Sequence, residues 1–232
     1  MADLEVFYRR QISRGVTGNA LYTAYLNLGL INWCFGDESL SDDARRDLER
    51  AVAAVVDVMS NMPIPPTRDD LRAFEFTMPL YLTLIFGTEE ERSALSLLHK
   101  TQWLTQEENE FASYTALMDL IRRHALDLVL DAEEIQAVEH QNNQALTHDF
   151  YRPWITAMCL GFTCIIEGDC EGLEAQCEQL LKLLQQEAIH GEWTHDSQSL
   201  MAFWPMVLLV FARRYNMSVN VKSAYIPDNL FA

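Results

Sequence analysis

Glu187-Ala-Ile-His190, followed by Glu192, His195 and Asp196, is the densest run of metal-competent side chains in this 232-residue sequence. A glutamate and a histidine three apart on a helix share a face and can hold one ion between them, as in di-iron bundles. Those sites take two such motifs plus two further glutamates, and this chain has a single Glu-x-x-His. Gly191 and its polar neighbours read equally as a solvated helix end entering a surface loop, so no metal or other cofactor is expected. His124 has Asp127 at helical spacing, and His140 has Gln136 and Glu139. Both histidines read as surface or satisfied core residues rather than general bases. The paired carboxylates Glu107 with Glu110 and Glu133 with Glu134 stand at expected helix starts, where the positive end of the dipole favours acids. No apolar pocket signature accompanies them to raise a pKa, so acid–base catalysis is not implied. GxxxxGK, GxGxxG, GxSxG and HExxH are all absent, and no enzyme is expected.

The elements that hold these residues are helical almost throughout, since apolar positions recur at helical spacing and alternation is rare. Helices are expected over residues 2–13, from about Thr17 to Phe35, and from Ser41 onward through Leu48, Val52, Val55, Val56 and Met59. In the second of these, Leu21, Tyr25, Leu28, Ile31 and Phe35 mark the expected inner face. Met62-Pro-Ile-Pro-Pro breaks the pattern, and a helix follows to about Phe86 with a kink at Pro79. Thr88 with Glu91, and Thr105 with Glu108, form capping boxes, the second before a long helix through Leu130. Asp131 opens a helix over about 132–146, and others are expected over 149–167, 170–188 and 197–215. Residues from Val219 onward read as an extended tail, with two or three residues of strand. The chain is therefore one all-α domain, 1–232: a multi-helix bundle or short irregular solenoid of helix hairpins, with a short extended C-terminal tail.

Acids number 34 against 17 bases, a formal net charge of −17. Residues 101–147 and 148–196 carry −7 each, while residues 1–36 and 197–232 are slightly basic. Such a field repels a phosphate backbone and draws in a basic protein, so nucleic acid is not an expected partner. Acidic helix faces also serve solubility alone, and that reading stands beside the first. The longest apolar runs, 78–86 and 203–212, are too short to span a membrane and each contains proline. The opening residues carry no apolar h-region, which with five cysteines in no CxxC pair leads to the expectation of a reduced, cytoplasmic protein. Cys34, Cys159 and Cys164 fall in apolar stretches, where cysteine acts as a small hydrophobe.

Most aromatics, including Trp33, Phe74, Phe76, Tyr81, Phe86, Tyr114, Trp154, Phe162, Phe203, Trp204 and Phe211, sit in apolar helices and are expected in the core. Trp103 and Trp193 lie in polar junctions beside acidic helices, where an aromatic can cap a helix end or anchor a partner. The preferred partner-binding surface is therefore Trp103 with Glu107, Glu108 and Glu110, together with Asp131, Glu133 and Glu134. The acids of 169–178 and 37–49 offer similar surfaces.

Three apolar helices end in Gly36-Asp, Gly87-Thr and Gly168-Asp before an acidic helix. A late helix runs from Phe203-Trp204-Pro205 to Ala212-Arg213-Arg214, and the chain closes on Met217-Ser-Val-Asn-Val-Lys-Ser-Ala-Tyr-Ile-Pro-Asp-Asn-Leu230. In these features the chain resembles bacterial immunity proteins that neutralise polymorphic toxins, nearest to the immunity protein 49 family. The resemblance implies an all-helical cytoplasmic protein whose Tyr225-Ile226-Pro227 returns to the last helix. It also implies a cognate toxin, often a nuclease, whose active site is blocked. A basic cleft made for phosphates would meet the acidic surface as a substrate mimic. A helical adaptor joining two cellular proteins, and a metal-dependent helical enzyme around Glu187, His190 and His195, are the alternatives. Charge reversal at Glu107 and Glu108 is expected to slow association with a basic toxin, measured by stopped-flow binding; an unchanged rate would move the interface elsewhere.

Overall fold

The computed structural model describes residues 2–34, 39–62, 77–98, 112–144, 150–191 and 197–230. Among them the chain forms ten α-helices, one 3-10 turn and no strand. The all-α bundle is thus as the periodicity requires. The helices are α1 (Ala2–Ser13), α2 (Gly18–Cys34), α3 (Asp42–Ser60), α4 (Thr77–Phe86), α5 (Glu89–Ser96), α6 (Ala112–Arg123), α7 (Ala132–Gln144), α8 (Arg152–Glu167), α9 (Cys170–His190) and α10 (Phe203–Arg214).

Local chemistry accounts for most boundaries. Ser41 Oγ accepts from the Ala44 amide at 3.2 Å to start α3, with Asp42 and Asp43 in the first turn. Thr88 and Glu91 close a full capping box at the head of α5. Gly168 ends α8 at φ +72°, a conformation open to glycine, and Asp169 caps α9 through the Gly172 amide at 2.9 Å. The helix expected to reach Leu130 ends at Arg123 instead. Asp127 Oδ1 captures the Val129 amide at 3.0 Å, and Leu128 turns to φ +55°. The helix expected over 197–215 is split in two, a 3-10 turn at Ser197–Leu200 and α10 from Phe203. Pro205 explains the split, because its ring would collide with the Met201 carbonyl in a continuous helix.

The N-terminal hairpin of α2 and α3 is the tightest pair, and Gly29 is the reason. A Cβ there would stand 2.6 Å from Leu48 Cγ, so only glycine lets the two helices approach this closely. The buried residues of α2 include Tyr22, Leu26, Leu28, Leu30 and Trp33; of the expected face Leu28 is buried, Leu21, Tyr25 and Ile31 are only half-buried, and Phe35 lies outside the described residues. The helix is apolar all round, so periodicity alone did not select the face. Residues Phe203–Ala212 of α10 are all buried, and α10 lies against α4, α8 and α9. Gly161 of α8 gives Leu208 its place in this contact, since a Cβ would come within 2.6 Å of Leu208 Cδ1.

The tail crosses back over the molecule. No strand forms in it among the described residues; the Ala202 amide bonds the Tyr225 carbonyl at 2.9 Å, tying the tail to the head of α10. Farther on, Asn229 mimics a backbone partner for Leu40, accepting from its amide at 2.7 Å and donating to its carbonyl at 2.9 Å. Arg45 adds a bond to the Asn229 carbonyl at 2.8 Å. Leu40 is buried, so Asn229→Ala would orphan both its main-chain groups. The expected cost is about 1–3 kcal/mol, read as a lower urea midpoint at unchanged m-value. An unchanged midpoint would show that water replaces the side chain.

Candidate functional site

Trp103, Glu107, Glu108 and Glu110 lie outside the described residues, as do Trp193, Glu192, His195, Asp196, Phe74 and Phe76. The second half of the expected surface is at the head of α7. Asp131 and Glu133 are exposed, and Asp131 Oδ1 caps the helix by accepting from the Glu133 amide at 2.8 Å. Glu134 differs. Its Oε1 pairs with Arg123 and its Oε2 is 2.6 Å from His124 Nε2. The His124 hydrogen bond, with Arg123 beside it, holds the Glu134 carboxyl below its ordinary value despite some desolvation. Glu134 therefore spends its charge inside the molecule, clasping α6 to α7, and adds little to the outward field.

His124 reaches Asp127, the partner expected from helical spacing, only at 3.9 Å. Its shorter contact comes from the next helix, and no repeat of 3 or 4 residues points to a partner ten positions away. Arg122 and Arg123 both engage Asp119, and the buried Arg122 also donates to the Leu98 carbonyl at 3.3 Å beyond the end of α5.

Two helix turns at one end of the bundle hold a group of outward acids. Tyr215, just past α10, holds the first of them: its hydroxyl accepts from the Leu130 amide at 2.8 Å in the α6–α7 turn. Five residues on, the Asn220 amide bonds Glu174 Oε1 at 2.7 Å in the second turn of α9. A five-residue span reaches at most about 17 Å, so the α6–α7 and α8–α9 turns flank the same stretch. That end carries Asp127, Asp131 and Glu133 from one turn and Glu167, Asp169 and Glu171 from the other, all exposed. Glu133, Glu167 and Glu171 make no ion pair among the described residues. Arg213 and Arg214 at the end of α10, Arg123 at the end of α6 and Lys222 in the tail are exposed bases near this end. Leu126, Val129 and Ile166, at 43%, 47% and 37% exposure, set apolar surface among these acids.

Of the metal-competent run, Glu187 and His190 lie among the described residues. Glu187 is half-buried with a carboxylate oxygen folded over Gly191, where a Cβ would meet it at 1.9 Å, and His190 is exposed. No group of three or more metal-binding side chains gathers among the described residues. Burial pushes the Cys159 and Cys177 thiols up to about 12, which removes their nucleophilic form at neutral pH. Cys164 is half-buried, but Cys34, the last residue of α2, is exposed rather than a core hydrophobe. Tyr81, Trp154 and Trp204 pack together in the core, with ring centroids 5.2 to 5.4 Å apart. A cavity of about 20 Å³ beside them has room for one water and not for a metabolite. No helix among the described residues is long and apolar enough to cross a membrane.

No protein-family model matches the chain, and neither does any curated protein or solved structure.

The Glu134 clasp has a pH signature. Its folded pKa is depressed, so the stabilisation is present above the unfolded glutamate value, about 4.3, and is lost as pH falls through the lower folded value. Glu134→Gln is expected to lower stability near neutral pH and flatten this acid limb of the stability curve. Thermal melts of both proteins across the acid range would test this; parallel curves would show that the pair contributes nothing.

Proposed function

We propose that this chain is a binding protein that captures and neutralises a basic toxin in the cytoplasm, a nuclease-type effector being the class that suits its charge. The observation that carries the reading is the acidic end of the bundle, where two helix turns present unpaired carboxylates around exposed Leu126, Val129 and Ile166. Apolar side chains inside a charged rim are the usual anatomy of a protein interface. The acids accelerate encounter with a cationic cleft, and the apolar contacts slow release. The likeness of the helical layout and tail to immunity proteins supports the same reading.

Residues of the interface sit on turns that are themselves fixed. Asp131 and Asp169 cap their helices, and Tyr215 and Asn220 hold both turns to the end of α10. A surface held in place before binding loses little ordering entropy when it binds.

Gene neighbourhood supplies the partner for the test, since an immunity gene lies beside that of its toxin. Reversal of Glu133 and Glu171 to lysine together is expected to slow association with that toxin about tenfold or more at low salt. The difference should shrink as salt is raised past the physiological range. Equal association rates for wild type and variant would remove this end of the bundle as the interface. No complex with the neighbouring toxin at low salt would remove the neutralising function itself.

A further inference from the structure

The head of α10 lacks the side-chain oxygen that normally satisfies the first amides of a helix. Ala202 occupies the N-cap and makes no side-chain bond. In the first turn the Phe203 amide bonds Met201 at 3.0 Å, and Pro205 has no N–H to satisfy. The Trp204 amide is left without an acceptor among the described residues. Beside Trp204, Tyr81 of α4 is buried at 1% exposure, and its hydroxyl meets no hydrogen-bond partner among the described residues. Tyr81, Trp204 and Thr77 all line the cavity of about 20 Å³.

An unsatisfied buried hydroxyl destabilises the fold, and an unsatisfied helix amide on another residue lining the cavity adds to that. A cavity of this size has room for one water, which needs two to four polar partners. We propose that this cavity is a binding site for a single structural water, which caps α10 and satisfies Tyr81. The water accepts from the Trp204 amide and the Tyr81 hydroxyl, and donates to Thr77 Oγ1. The Thr77 hydroxyl bonds Tyr114 and keeps an acceptor lone pair for this purpose. A small anion would also suit two donors. Trp154, Leu184 and Met201 complete the wall, however, and among the lining residues there is no cation to offset a buried charge. The water thus stands where a serine or aspartate cap would, and joins α4 to α10.

Tyr81→Phe keeps the ring and removes only the oxygen. It is expected to lower the Tm by about 2–4 °C. A crystal structure of the wild-type chain is expected to show water in the cavity, and that of the variant to show it lost or displaced. In solution, the Trp204 amide should give a cross-peak to a long-lived water in the wild-type chain, a measurement that does not depend on the variant folding. A dry wild-type cavity with no such cross-peak overturns the proposal. So does a Tyr81→Phe protein as stable as, or more stable than, the wild type.

Discussion

Ten consecutive buried residues, Phe203–Ala212, impose the constraint around which the rest is arranged. A helix with an apolar stripe needs one neighbour, whereas a helix apolar on every side must be surrounded. Here α4, α8 and α9 provide the enclosure, although α4 lies far from α10 in the sequence. Burying a single leucine, valine or phenylalanine stabilises by about 1.5–3 kcal/mol, so leaving α10 unenclosed would cost far more than any surface term. The N-terminal hairpin, the middle helices and the tail are therefore parts of one core. Glycine appears where enclosure is closest, at Gly161 under Leu208.

The acids follow from the same constraint. With the interior committed to apolar side chains, a net charge of −17 must reside on outer faces and helix ends. Many of these acids are used locally first. Asp42, Asp43, Glu91, Asp131 and Asp169 serve helix starts, and Asp119 and Glu134 pair with arginines. Asp47 shows the cost of the opposite placement. It is buried at 4% exposure with Asn32 at 3.3 Å, and desolvation raises its pKa against the pull of Arg9 and Arg50. Glu133, Glu167 and Glu171, at the end where α10 emerges, have no such internal task among the described residues, and neither do Glu49, Glu89 and Glu90 elsewhere.

That end owes its form to the tail as much as to the hairpins. Tyr215 and Asn220 each bind a different acidic turn, so one irregular segment sets the spacing between two charged surfaces. The remainder of the tail runs on to Leu40 and Arg45. The binding face proposed for this end would need no pocket. It would depend on fixed turns, exposed apolar side chains and a field able to guide a cationic partner.

Helix identity, caps and the all-α class were legible in the sequence because each rests on interactions within about four residues. Ser41, Thr88, Gly168 and Asp169 act on their own neighbours, and the structure finds them in those roles. Pro205 was also in plain view, but its consequence, the break before α10, follows only when its clash with the preceding turn is weighed against a long apolar run. Other features had no local signal at all. The inward face of α2 was chosen by Gly29 meeting Leu48. Glu134 was claimed by Arg123 and His124 across a turn, and Leu128 left the helical region there. The convergence of two acidic turns came from bonds to Tyr215 and Asn220, separated by 85 and 46 residues from their partners. Charge content is a property of composition, but which charges face outward together is a property of packing. Only the enclosure of α10 decided that.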